Sequence, residues 1–343
     1  MATSKAGGLA GQAVGTARGA TGQTSQRTAF LMLIIGNVLW AGTYAAGKIA
    51  LEDLSPIELN ALRFSLAALF LSPALIRGWR QIPRDRRSLL LLGQIAVMGW
   101  ILNKALEYFG LALSTASDVA LLIATESIFT ALLSWLFLRE HITRMGVLAL
   151  LVGLLGAYLI VERGFVPNLA GGAASSARII GDLLVIGSLV LEAAYTVRGK
   201  TALSTLSLPP LLLTSATLTG SLFVWIPAGV GTVIHSGMPH MTLAGWLSVI
   251  YMAGAASALG YWLWFQGLRT VDASAAAPIL FIQPLVGAAL GIWLLHDQLG
   301  WATLLGGGLI GLSLLLVLLG TRRPASSVVP VTATIIDDFT ITP

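Results

Sequence analysis

Residues Thr201 to Leu268 read TALSTLSLPPLLLTSATLTGSLFVWIPAGVGTVIHSGMPHMTLAGWLSVIYMAGAASALGYWLWFQGL, without one Asp, Glu, Lys or Arg. A bilayer core takes about 20 mostly apolar residues per spanning helix, so this run is too long for a single span. Gly231 to His240, with its Gly, Pro and His, breaks it and leaves two helices. The rest of the chain agrees. Residues of the apolar class make up 56% and charged residues 10%, against roughly 25% charged in an average soluble domain. There are no cysteines, which excludes disulfides and thiolate metal sites.

Similar windows lie on both sides of this run. Thr28 to Gly47, Pro56 to Ile76, Ser88 to Gly110, Ser117 to Leu138, Arg144 to Val161 and Ile179 to Gly199 give six spans before it. Ala273 to Leu295 and Gly300 to Thr321 give two after it. The expected fold is an all-α membrane protein of ten transmembrane helices. Lys and Arg gather in cytoplasmic loops. With both termini inside, Arg77, Arg80, Arg84, Arg86, Arg87, Arg139, Arg144, Arg198, Lys200, Arg269, Arg322 and Arg323 fall on the cytoplasmic side. Only Lys48, Arg163 and Arg178 fall outside. The formal charge of +5 is then a topology signal beside anionic lipid, and no nucleic-acid partner is expected.

The two halves resemble each other. Gly110-Leu111 and Ala116-Ser117 recur at one constant shift as Gly267-Leu268 and Ala273-Ser274. On that shift Ala120, Ala131, Leu133 and Glu140 meet Ala277, Ala288, Leu290 and Asp297. Gly47-Lys48-Ile49-Ala50-Leu51 recurs as Gly199-Lys200-Thr201-Ala202-Leu203. Five helices per half is an odd number, so the second copy enters the membrane upside down. Inverted repeats of this kind rock about a midplane site in many secondary transporters. The expected organisation is a disordered cytoplasmic tail (1–27), a first five-helix repeat (28–163), an external linker (164–178), a second repeat (179–320) and a second disordered cytoplasmic tail (321–343). Chance likeness among Gly/Ala/Leu-rich helices is the competing explanation.

Leu259 to Leu268, LGYWLWFQGL, resembles the eighth-helix signature of EamA-type proteins in the drug/metabolite transporter superfamily. Ile282-Gln283-Pro284-Leu285, with Asp297 downstream, is similar to the ninth-helix pattern of that family. Trp40-Ala41-Gly42, Lys48 and Arg63 stand at its first- and second-helix signature. Glu126-Ser127, with Arg139-Glu140 downstream, occupies the fourth-helix equivalent. There are departures: Gln283 replaces an acid, Ser127 a proline, and His296-Asp297 a Gly-Glu pair. The resemblance covers residues 28–320. It implies a ten-helix exporter or exchanger of metabolites, often amino acids, in a bacterial inner membrane. Its cavity would be lined by helices one, three, four, six, eight and nine.

An ionised group at the bilayer centre costs about 2.5–3.5 kcal/mol on insertion scales, so such groups face a cavity or a partner. Glu126 sits near the middle of helix four and its repeat mate Gln283 at the same depth in helix nine. Glu126 can bind an amine or exchange a proton; the alternative is a neutral acid hydrogen-bonded between helices. Glu192 on helix six invites both readings. Trp40 and Tyr44 lie one turn apart, with Asn37 on roughly the same face, as a surface for a flat or cationic solute or as packing. Asn103 and Glu107 share a face of helix three, and Lys104 is spaced to pair with Glu107, as a substrate site or a snorkelling ion pair. Arg63 is read as snorkelling or pairing with Glu52 or Asp53. Tyr195, Tyr261 and Trp264 are candidate cavity borders. Gly153, Gly156, Gly306, Gly307, Gly308 and Gly311 are read as close helix packing.

No zinc, nucleophile-elbow or Walker-type motif occurs, so neither an enzyme nor a one-chain ATP-driven pump is expected, and no cofactor or metal. The expected partners are a small-molecule solute and the lipid bilayer, with a proton as a candidate coupling ion and a monomer as a sufficient carrier. A lipid-linked substrate flippase of the same fold is the alternative.

Overall fold

The computed structural model describes residues 25–114, 119, 122–162, 176–295 and 300–320, and every regular element among them is helical. In chain order these are α1 (Gln26–Asp53), α2 (Pro56–Gln81), α3 (Arg86–Leu113), α4 (Leu122–Leu138), α5 (Arg144–Ile160), α6 (Ser176–Thr205), α7 (Pro210–Ser236), α8 (Leu243–Leu268), α9 (Ala273–Gly287) and α10 (Trp301–Gly320). Seven are long and apolar enough to cross a membrane; α4, α5 and α9 are shorter apolar helices. Residues 1–24, 115–118, 120–121, 163–175, 296–299 and 321–343 lie outside the described residues. The expected tails therefore fall mostly there, as do most of the linker, Ser117 and His296-Asp297.

Local signals set the boundaries. Ser55 and Glu58 form a reciprocal capping box before α2, with Pro56 at the first helical position, where its missing N–H costs nothing. Asp85 caps α3 by accepting from the Ser88 amide at 3.0 Å. Those amide bonds hold the Asp85 carboxyl below its ordinary pKa. Ser25 caps α1, so the helix begins at Gln26 and takes in Arg27, which the sequence reading assigned to the tail. α7 runs through Gly231 as far as Ser236. The stop is Gly237, whose φ of +83° is open to glycine without a Cβ penalty.

Surface and interior are inverted relative to a soluble protein. Phe223, Ile234 and Leu243 stand on the exposed surface, whereas Arg63, Lys104, Glu107, Glu126 and Glu192 are buried. This chain is a multi-pass α-helical membrane protein. α1 packs on α8, α2 on α7, α3 on α6 and α5 on α10. Small residues allow the close crossings. A Cβ on Gly156 would stand 2.7 Å from the Gly306 carbonyl oxygen, and one on Gly306 2.6 Å from that of Gly156. Gly153 belongs to the same face, under the Phe281 ring. Gly308 and Gly311 have nothing within 4 Å. Gly308 is exposed, and among the described residues neither glycine shows the close packing expected for it.

Candidate functional site

Four helices change geometry beside the polar residues they carry. In α3 the segment Ala96–Leu102 is π-helical and leads directly into Asn103, Lys104 and Glu107. In α8 the π-helical segment Met252–Gly260 leads into Tyr261. π segments are rare, and concentrate at functional sites. An indole N–H fills a carbonyl in each: Trp225 Nε1 donates to Trp100 O at 2.7 Å, and Trp40 Nε1 to Ala256 O at 3.1 Å. α4 turns at Thr125, whose hydroxyl donates to Leu122 O at 2.6 Å, and Glu126 opens the helical stretch that follows. α9 passes through a 3₁₀ segment, Ala277–Phe281, before Gln283. Pro278 contributes there by removing an amide donor. Glu126 thus sits where a helix N-terminus favours a negative group.

These segments converge on a central cavity of about 30 Å³, room for a water or two at roughly 10–15 Å³ each. Of the residues expected at the site, Trp40, Tyr44, Asn103, Glu126, Glu192, Tyr261 and Gln283 line it. Three do not. Asn37 lies behind Gln283, accepting from its Nε2 at 3.1 Å. Tyr195 and Trp264 are buried among aromatic rings: Tyr195 lies against Trp100, Tyr261 and Phe265 with centroids 5.2–5.6 Å apart, and Trp264 lies against Trp40 at 5.5 Å. Trp264 there donates to Thr196 Oγ1 at 3.3 Å.

The cavity also holds Lys104, Glu107 and Arg63. Lys104 and Glu107 are each only 6% exposed, so the pair does not snorkel. Lys104 Nζ bridges two carboxylates, Glu107 at 2.6 Å and Glu192 at 3.1 Å. Arg63 neither snorkels nor pairs with Glu52 or Asp53. It is 1% exposed; its Nε donates to Ser257 Oγ at 2.8 Å and its Nη1 to the Tyr108 hydroxyl at 2.7 Å. Asp53 instead accepts from Thr242, tying the end of α1 to the start of α8. Glu126 lines the cavity with no hydrogen bond or ion pair among the described residues. Glu192, Lys104 and Glu107 line the same cavity. Five ionisable side chains from α2, α3, α4 and α6 therefore meet in one buried space, three acidic and two basic. Among the described residues no group of three or more His, Asp or Glu side chains is placed to hold a metal ion.

At the end of the bundle that carries Arg139, a second polar cluster joins four helices. Glu140, just beyond α4, accepts from Lys200 Nζ of α6 at 2.7 Å and from the first amides of α9, Ala273 at 3.2 Å and Ser274 at 2.8 Å. Lys200 also donates to Val271 O, just past α8, at 3.0 Å. Burial pushes the Glu140 carboxyl up, but Lys200 and Ser274 outweigh it and hold the group below its ordinary pKa.

Comparison with known proteins fits this architecture. A protein of Archaeoglobus fulgidus named "Uncharacterized transporter" is 29% identical over 84% of this chain and 98% of its own length. The "Probable amino-acid metabolite efflux pump" of Salmonella typhimurium is 24% identical over 87% of this chain and 97% of its own. A solved crystal structure shares the fold with a TM-score of 0.71 at 17% identity, covering 88% of this chain and 100% of that one. The EamA-like transporter family matches twice, over residues 27–162 and 179–319. This chain accordingly belongs to the EamA-like transporter family of the drug/metabolite transporter superfamily, and is a transporter rather than an enzyme.

Proposed function

We propose that the chain is a secondary transporter, an exporter or exchanger, which carries a small amphipathic metabolite such as an amino acid through the central cavity by alternating access. The observation that carries this reading is Glu126, buried, without a hydrogen bond or ion pair among the described residues, and facing a cavity at a helix break. A carboxylate in such a place is costly, and binding a solute amine or a coupling proton offsets that cost. Trp40 and Tyr261, whose ring centroids are 4.8 Å apart, supply an aromatic wall. The name of the Salmonella relative points to the same class of cargo.

In this reading all ten helices span a bacterial inner membrane as two inverted halves, 28–163 and 179–320, joined by an external linker, with both tails cytoplasmic. Contacts that recur with the halves exchanged support it. Lys48 Nζ donates to Ser114 O at 3.3 Å, and its repeat mate Lys200 donates to the matching Val271 O at 3.0 Å. A Cβ on Gly110 would meet Gly181 O at 2.8 Å, and one on Gly267 would meet Ala29 O at 3.0 Å. The π segments of α3 and α8 also correspond on the constant shift, as do the breaks before Glu126 and Gln283.

The test is counterflow of labelled amino acids and nucleobase-like compounds in proteoliposomes, with and without a pH gradient, for the wild type, Glu126→Gln and Glu126→Leu. Transport per folded molecule should fall sharply in both variants. Full transport in Glu126→Gln beside misfolding of Glu126→Leu would leave Glu126 as structural glue, because glutamine keeps donor and acceptor capacity. One observation favours a second reading, a lipid-linked substrate flippase: an apolar groove of about 500 Å³ between α2 and α7, lined by Leu62, Ile226, Val230, Met238 and Trp246. Exchange of a long-chain substrate, with none of any small solute, would select it.

A further inference from the structure

The five charges of the cavity are not equally satisfied. Lys104 sits between two carboxylates, which leaves Arg63 and Glu126 as the cavity groups with no ion pair of opposite sign among the described residues. Arg63 forms no ion pair among the described residues; its bonded partners are the neutral hydroxyls of Ser257 and Tyr108. Its guanidinium also lies against ring faces, 5.3 Å from the Phe64 centroid and 5.6 Å from that of Tyr108. A guanidinium has five N–H donors in a planar fork and stays protonated in proteins. Ser257 and Tyr108 take one donor from Nε and one from Nη1, so Nη2 and the second hydrogen of Nη1 remain for a ligand. Hydroxyls and rings hold the fork in place and leave its charge uncompensated. A planar, charged, unfilled fork in a buried cavity is the geometry that takes a carboxylate in bidentate fashion.

Glu126 is the complement. It lines the same cavity as Arg63, entering from the break in α4 where Arg63 enters from α2, and Lys104, Glu107 and Glu192 line that cavity too. Among the described residues no hydrogen bond or ion pair joins Arg63 to Glu126. One cavity therefore holds an anion anchor and a cation anchor that do not satisfy each other.

We propose that Arg63 is a substrate-binding residue, and that the cavity is a dipolar site for zwitterions, the solute's carboxylate going to Arg63 and its ammonium to Glu126. The proposal rests on the transport reading above and narrows it: a solute with only one of the two charges leaves a buried anchor empty. A zwitterion pairs both anchors and leaves the net charge of the cavity unchanged. The space of about 30 Å³ must widen to admit such a solute.

The experiment uses the full chain in proteoliposomes. Every amino acid that exchanges in the counterflow panel is compared, as a competitor, with its primary amide, which lacks the carboxylate, and its N-acetyl form, which lacks the ammonium. The wild type should prefer the free amino acid over each by roughly 10- to 100-fold, the worth of one hydrogen bond to a charged group. In Arg63→Gln, which keeps donors for Ser257 and Tyr108, the free acid should weaken by that factor, with the amide within threefold of its wild-type value. Glu126→Gln should do the reverse, weakening the acid relative to its N-acetyl form. Amides that compete as well as free acids in the wild type would overturn the proposal, even if Arg63→Gln fails to fold. Exchange confined to amines or nucleobases would overturn it and leave the transport reading standing. Exchange of nothing in the panel would overturn both.

Discussion

Replacing Glu140 by glutamine removes the charge from a carboxylate shared by three donors: Lys200 Nζ at 2.7 Å, Ala273 N at 3.2 Å and Ser274 N at 2.8 Å. Lys200 and Ala273 share one oxygen, and Ser274 has the other. Glutamine offers one oxygen and puts an NH₂ in place of the second, so one side of the cluster must lose its acceptor. A hydrogen bond to a charged group is worth about 1.5–3 kcal/mol. Solvent reaches Lys200, which is 20% exposed, so the low end applies and the expected loss is about 1.5–2 kcal/mol. At roughly 2 °C per kcal/mol, the trend for longer chains, Tm should fall by about 3–4 °C. The pH dependence has a definite sign. The folded pKa of Glu140 lies below its ordinary value, so the stabilisation is complete above about pH 4.3 and is lost as pH falls through the folded pKa. Thermal unfolding of wild type and Glu140→Gln should therefore differ most near neutrality and converge on acidification. Equal Tm values at pH 7, or a gap that persists unchanged into acid, would refute the argument.

Lys104→Met should destabilise by about 3–5 kcal/mol, because it leaves Glu107 and Glu192 buried without their counter-ion; adding Glu192→Gln should recover part of the lost Tm, and no recovery would contradict the bridge. Gly156→Leu should abolish most of the folded yield through its clash with the Gly306 carbonyl, whereas Gly308→Leu, at an exposed position where a Cβ meets nothing within 4 Å among the described residues, should leave yield unchanged; size-exclusion profiles read both. On the natural cysteine-free background, a cysteine at exposed Arg86 should react with an impermeant reagent only after cells are opened, and one at exposed Ser236 should react in intact cells. The opposite pattern would invert the proposed topology.

Helix existence was legible in the sequence because it depends on composition over some 20 residues, and the Thr201–Leu268 run left no other fold class. Ends were legible only where a cap carries its own signal. Pro56 behind Ser55 marked one start, but Gly231 misled: a glycine inside an apolar helix costs about 1 kcal/mol against alanine, which packing readily absorbs. The stop came at Gly237, where the chain takes a positive φ. The π segments had no signal. AVMGWIL and MAGAASALG read as ordinary apolar helix, and their carbonyls are filled by Trp225 and Trp40 from other helices.

The site divides along the same line. Depth is a one-dimensional property, so Glu126, Glu192 and Gln283 could be placed at the level of a cavity by counting along their helices. Partnership is not. Lys104 looked complete beside Glu107 three residues on, and its second carboxylate, Glu192, comes from α6. Arg63 looked like a snorkelling residue because it lies two turns from the start of α2, yet α3 and α8 close over it with Tyr108 and Ser257. A snorkelling arginine needs an open path to the interface, and packing decides whether that path exists. Once it is closed, the cost of a buried charge no longer disappears into water. For Lys104 that cost is met by two acids; for Arg63 two neutral hydroxyls meet it only in part. The residue that local spacing marked as structural is therefore the cavity cation left without an ion pair among the described residues, and its sharing one cavity with an equally unpaired Glu126 is the arrangement that the proposed zwitterion would complete.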